Sequence, residues 1–110
     1  MNCGARVIVT IHVTSHDIAR GVLGDPDLCP VALSLRRAIS NRWSAAVERH
    51  DVILLRHGDD RPLPPLRLPP AAAHFADQFD HGGHDAVGPM RFVIELPEGV
   101  VGDGAGRHGG

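Results

Sequence analysis

Five of the ten residues from 61 to 70, Arg-Pro-Leu-Pro-Pro-Leu-Arg-Leu-Pro-Pro, are proline. Proline has no amide hydrogen for a β-ladder and breaks a helix from within. This segment is therefore expected to run extended, as a connection or as a short edge strand at Leu66–Leu68. It divides the chain into two stretches, each of which needs its own regular structure.

Upstream, residues 6–14 (RVIVTIHVT) are rich in β-branched side chains and read as a strand with both faces at least partly covered. Residues 15–21 (SHDIARG) read as a single helical turn. Ser15 can cap it, Asp17 suits its positive end, and Gly21 can stop it. Asp25-Pro26 then initiates a turn. Pro30 fits the first position of a helix, with Asp27 or Cys29 near the cap. At about 100° per residue, Leu28, Val31, Ala32, Leu35, Ala38 and Ile39 share one face. Ser34, Arg37 and Asn41 lie opposite, and Leu33 falls beside Arg36, Arg37 and Ser40. Trp43–Val47 and Val52–Arg56 form the arms of a hairpin, turning at Glu48-Arg49-His50-Asp51.

Downstream, Pro69 or Pro70 opens a second helix that Gly82 closes. Ala71, Ala72, Phe75, Ala76 and Phe79 face inward, while His74, Asp77 and His81 face outward. At 90–96, Met90, Phe92, Ile94 and Leu96 alternate with Arg91, Val93 and Glu95, a strand with one face on a core. The order strand, helix, strand, strand, helix, strand predicts an α+β, ferredoxin-like βαββαβ domain. Two helices would cover one face of an antiparallel sheet. An added strand from the proline-rich segment would spoil that match. The domain is expected to span 1–96, and 97–110, with six glycines, to be a disordered tail. The other sheet face is left for solvent, a ligand or a second copy, so a homo-oligomer is expected.

At 110 residues the chain fits one domain. Its two cysteines, Cys3 and Cys29, make no disulfide framework. Neither a leader nor a membrane-length apolar run is visible, which predicts a soluble cytoplasmic protein without a membrane partner. All eleven basic residues are arginine, and the net charge is −2. Residues 1–50 carry six arginines against four acids, and 51–110 five against nine. That balance argues against broad nucleic-acid binding, which needs a concentrated basic surface. The few aromatics, with no tyrosine, argue against base stacking on a sheet.

Three groups are chemical candidates. A thiol at a helix start, as at Cys29, can be activated, with His12, His16 or His50 as a base. Cys29 also runs straight into core residues, and burial is the simpler expectation. His74, Asp77, His81, His84 and Asp85 offer nitrogen and oxygen ligands for zinc or nickel at a spacing that matches no standard motif. A solvated helix face accounts for them more simply. Arg36 and Arg37 near a helix end, followed by Arg42 and Arg49, suit the negative end of the dipole and can also hold phosphate or carboxylate. No phosphate-cradling G-x-x-x-x-G-K-[ST], zinc-protease or serine-hydrolase motif occurs.

The stretch VTSHDIARGVLGDPDLCPVALSLRRAI at 13–39 resembles small proteins of phages and prophages of GC-rich bacteria. Those carry a V-T-x-x-D-I-x-x-G turn and a C-P-V-A-L-A-L-R-R-A helix. LPPAAAHFADQFDHG at 68–82 and FVIEL at 92–96 are similar to their second helix and final strand. Some of these proteins have a further cysteine three residues before the C-P pair, where this chain has Pro26. The resemblance implies a setting rather than a reaction: short phage proteins often inhibit host processes or defences by binding. The expectation is therefore a non-enzymatic binding protein without a cofactor. It would block a host protein or sequester an anionic nucleotide through Leu33, Arg36, Arg37 and Arg42. The alternatives are a small metal- or thiol-dependent enzyme using Cys29 and histidines, and a structural or regulatory phage module.

Overall fold

The computed structural model describes residues 6–102. In chain order these form β1 (Arg6–Val13), α1 (Ser15–Arg20), α2 (Pro30–Ala38), β2 (Trp43–Glu48) and β3 (Asp51–Arg56). Then come β4 (Leu66–Arg67), α3 (Pro70–Gly82) and β5 (Met90–Pro97), with single 3-10 turns at His84–Ala86 and Glu98–Val100. The class is α+β with antiparallel sheets, as the sequence predicts, but with three helices.

The single ferredoxin-like sheet does not form. β1 pairs only with β5, and a separate sheet runs β2-β3-β4. The proline-rich segment is the physical reason. Leu66 and Arg67 pair with Val52 and Asp51, and the Leu63 amide donates to the Leu54 carbonyl at 2.9 Å. The edge of β3 that β1 would need is thus already covered. Prolines serve here because only one side of such a strand needs donors.

β1 is covered on one face, not two. Val9, Ile11 and Val13 are buried, whereas Ile8 on the outer face is 67% exposed. Its neighbour across the pairing, β5, repeats the pattern with Phe92, Ile94 and Leu96 inside and Val93 outside. A run of β-branched residues cannot by itself distinguish one covered face from two, because each satisfies strand propensity on either side.

α1 is held by a reciprocal capping box. The Thr14 hydroxyl accepts from the Asp17 amide, and the Asp17 carboxylate accepts from the Thr14 amide. Thr14, not Ser15, is therefore the cap. Asp17 is only 2% exposed, and the Arg37 guanidinium of α2 grips both its oxygens while also donating to the His12 carbonyl at 2.8 Å. Burial alone would raise the Asp17 pKa. The hydrogen bonds and charge of Arg37, with those of Thr14, outweigh it and hold the carboxyl below its usual range.

On α2, Val31, Ala32, Leu35 and Ala38 are buried as expected, but Leu28 precedes the helix and is exposed. Ser34, expected on the far side, is buried and donates its hydroxyl to the Val31 carbonyl at 2.7 Å. A short side chain that bonds its own helix can be buried at little cost. On α3 the inward face narrows to Ala72, Phe75 and Phe79, leaving Ala71 exposed and Ala76 half-buried.

The boundary expected at residue 96 shifts. Val100 is buried, the Ser40 amide donates to its carbonyl at 2.7 Å, and the Gly102 amide donates to the Ala38 carbonyl at 3.0 Å. Ile39 and Val101 form an antiparallel bridge. The last turn of a helix leaves carbonyls without partners, and the segment after β5 supplies one donor to α2, the Gly102 amide. The rest of the expected tail, 103–110, lies outside the described residues, as does Cys3.

Replacing Arg37 by Met should lower the unfolding free energy by about 2 kcal/mol, because Asp17 is left buried without its cation. Urea denaturation at pH 7 measures this. A depressed folded pKa means that the stabilisation is complete above about pH 4 and is lost as pH falls through the folded value. The acid limb of the stability curve should therefore be shallower in Arg37→Met than in the wild type.

Candidate functional site

α2 has a concavity at each end, and the two differ in chemistry. At its N-terminus lies a cleft of about 230 Å³ among α2, α3 and the β2–β3 turn. Its floor is apolar, built from Val31, Val47, Phe75, Phe79 and Cys29. Its polar lining is Asp25, Glu48, Asp80 and Arg49. The loop from Gly21 to Cys29 forms one wall and is fixed to β2 by the Val47 amide donating to the Pro26 carbonyl at 2.9 Å.

Cys29 is the N-cap of α2. Its sulfur accepts from the Ala32 amide at 3.4 Å and lies 4.0 Å from the Pro26 carbonyl. Burial pushes the thiol pKa up and the charge of Asp80 acts the same way, while the Ala32 and Val31 amides offset only part. No histidine lines the cleft. Cys29 thus faces a cleft but is a protonated, buried sulfur, without the base that nucleophilic chemistry needs.

At the other end of α2 lies an open, polar groove of about 630 Å³. Arg37, Ser40, Asn41 and Arg42 form one side, and Gly99, Val101 and Gly102 the other. Two of the four predicted contact residues, Arg37 and Arg42, are therefore brought together. Arg37 is largely used by Asp17 and His12. The Arg42 side chain is exposed and, among the described residues, has no ion pair. Leu33 and Arg36 are not on this lining; they lie one turn apart on α2, half-buried and exposed respectively.

The predicted metal ligands do not converge. His50 donates to the Asp77 carboxylate at 2.9 Å, His81 to the Asp77 carbonyl at 2.8 Å, and His84 to the Gly21 carbonyl at 2.9 Å. His84 also meets the ring of Phe79 edge-on. Each of these imidazoles has a structural task, and no group of three metal-ligating side chains exists among the described residues.

Two features escaped the sequence reading. Glycines dominate the sequence after residue 96, although Val100-Val101 is an apolar signal inside the 97–102 segment. The Thr14-x-x-Asp17 spacing is itself a capping-box signature, but nothing local reveals that Arg37 reaches it from 20 residues away. No family model, curated protein or solved structure matches the chain.

In a Cys3→Ser variant, Cys29 should react with a disulfide reagent at pH 8 roughly a hundredfold more slowly than a free thiol. It should react at the free-thiol rate in urea. Fast labelling of the native protein would show the sulfur to be open and ionised.

Proposed function

We propose that this protein is a non-catalytic binding module that holds a small phosphate- or carboxylate-bearing ligand, of nucleotide class, in the groove beyond α2. The observation that carries this reading is the position of Arg42, exposed on a polar groove of about 630 Å³ and without an ion pair among the described residues. A groove of that size matches a nucleotide-sized ligand. A guanidinium without an internal partner can receive a phosphate in bidentate fashion. Two of the carbonyls at the end of α2, those of Leu35 and Ala38, already accept from the Ile39 and Gly102 amides, which lessens their repulsion of an anion. The resemblance to phage and prophage proteins supports sequestration of a host signal as the biological purpose.

A second reading, occlusion of a host protein, is favoured by the pairing of Leu33 and Arg36 on the outer side of α2. The open outer face of β1 and β5 would serve a homo-oligomer in either case, with Ile8 and Val93 67% and 53% exposed.

Calorimetric titration at low salt with pyrophosphate and with adenosine monophosphate tests the first reading. Arg42→Glu should weaken binding by at least about tenfold without changing thermal stability. Unchanged binding would remove the groove as the site. Arg37 is unsuitable as the probe because its loss unsettles the fold. Leu33→Asp separates the two readings: it should spare nucleotide binding in the first and abolish capture of a protein partner in the second.

A further inference from the structure

The cleft at the other end of α2 has the opposite character from the groove, and its features do not depend on the nucleotide reading. Three carboxylates, Asp25, Glu48 and Asp80, line it against one guanidinium, Arg49. Among the described residues none of the three forms an ion pair. Below them the floor is two phenylalanine rings and aliphatic carbon, enclosing about 230 Å³. That is room for one small ring with a short tail. Carboxylates at the mouth of an aromatic-floored cavity complement an amphiphilic cation with an apolar body.

Arg49 provides an independent mark on the same cleft. Its φ is 58°, the only positive value among the described residues other than glycine. It occupies the first loop position of the two-residue turn between β2 and β3, where glycine is preferred. Backbone held in that region costs energy and tends to mark working surfaces. The strain sets a long, charged residue on the cleft lining where a glycine would have served the turn better.

We infer that the cleft between α2, α3 and the β2–β3 turn is a second binding site, for a small organic ammonium compound. Its apolar part fills the space over Phe75 and Phe79, and its charge meets Glu48 and Asp80. The raised thiol pKa of Cys29 fits a floor that is buried and feels the negative charge of Asp80.

The test uses the full chain and three probes of one shape: phenethylammonium, 3-phenylpropionate and neutral 2-phenylethanol, titrated by NMR. Phenethylammonium should bind saturably, at least about tenfold more tightly than either other probe. Glu48→Gln with Asp80→Asn should erase that preference. Ala76→Phe, at a half-buried lining position, should block all three while the protein stays folded. Arg49→Gly should raise thermal stability by relieving the turn and tighten the cation severalfold by removing the opposing charge. Equal affinity for the cation and the carboxylate, or a preference that survives loss of both carboxylates, would overturn the site. The groove variant Arg42→Glu should leave this binding untouched, so failure here is distinct from failure of the nucleotide reading.

Discussion

One buried carboxylate organises the molecule. Asp17 closes the N-terminus of α1 through Thr14, and so fixes how the chain leaves β1. The same carboxylate holds Arg37, and Arg37 holds the carbonyl of His12. A strand end, a short helix and the longer helix α2 thus meet at a single ion. A six-residue helix is too short to be stable alone, so α1 depends on this contact as well as on the burial of Ile18. Half of the Arg37 side chain is solvent-exposed, so the pair is not sealed. Its value lies in the high cost of leaving Asp17 without a partner rather than in a large net attraction.

The orientation this gives α2 determines where both concavities lie. Its C-terminal end points at residues 97–102, which cap it, and its N-terminal end points between α3 and the β2–β3 turn. The prolines act on the same geometry from the other side. By covering β3 they keep the two sheets apart, and α2 packs against β1 and β2 across the division. A continuous sheet would have placed β1 where the 63–67 segment now runs.

Much of this was legible because it is local. The strand at 90–96 alternates cleanly, Pro30 marks a helix start, and the hairpin turns where polar residues interrupt two apolar arms. What was not legible is what depends on distant partners. Ser34 reads as a surface residue until the neighbouring elements close over it. Leu28 fits the apolar stripe by angle but stands before the helix begins. Arg37 looks like a free cation until Asp17 is seen beneath it. The histidine set near the end of α3 shows the same limit: spacing brought the residues together in sequence, and their hydrogen bonds to Asp77 and Gly21 disperse them.

The charges around α2 pose a question that the helix itself partly answers. A helix favours acids near its start and bases near its end, so an acidic cleft and a basic groove could both be by-products of stabilising α2. Arg36 and Arg37, in the last turn, are accounted for in that way. The others are not. α2 has no acid in its own first turn; the carboxylates at that end come from the preceding loop, from β2 and from α3. Arg42 lies beyond the C-cap at Ile39, past the turn over which the dipole acts. Charges imported from other elements, without ion-pair partners among the described residues, exceed what the helix needs. Helix stabilisation therefore does not account for that surplus, and the two proposed ligand sites rest on it.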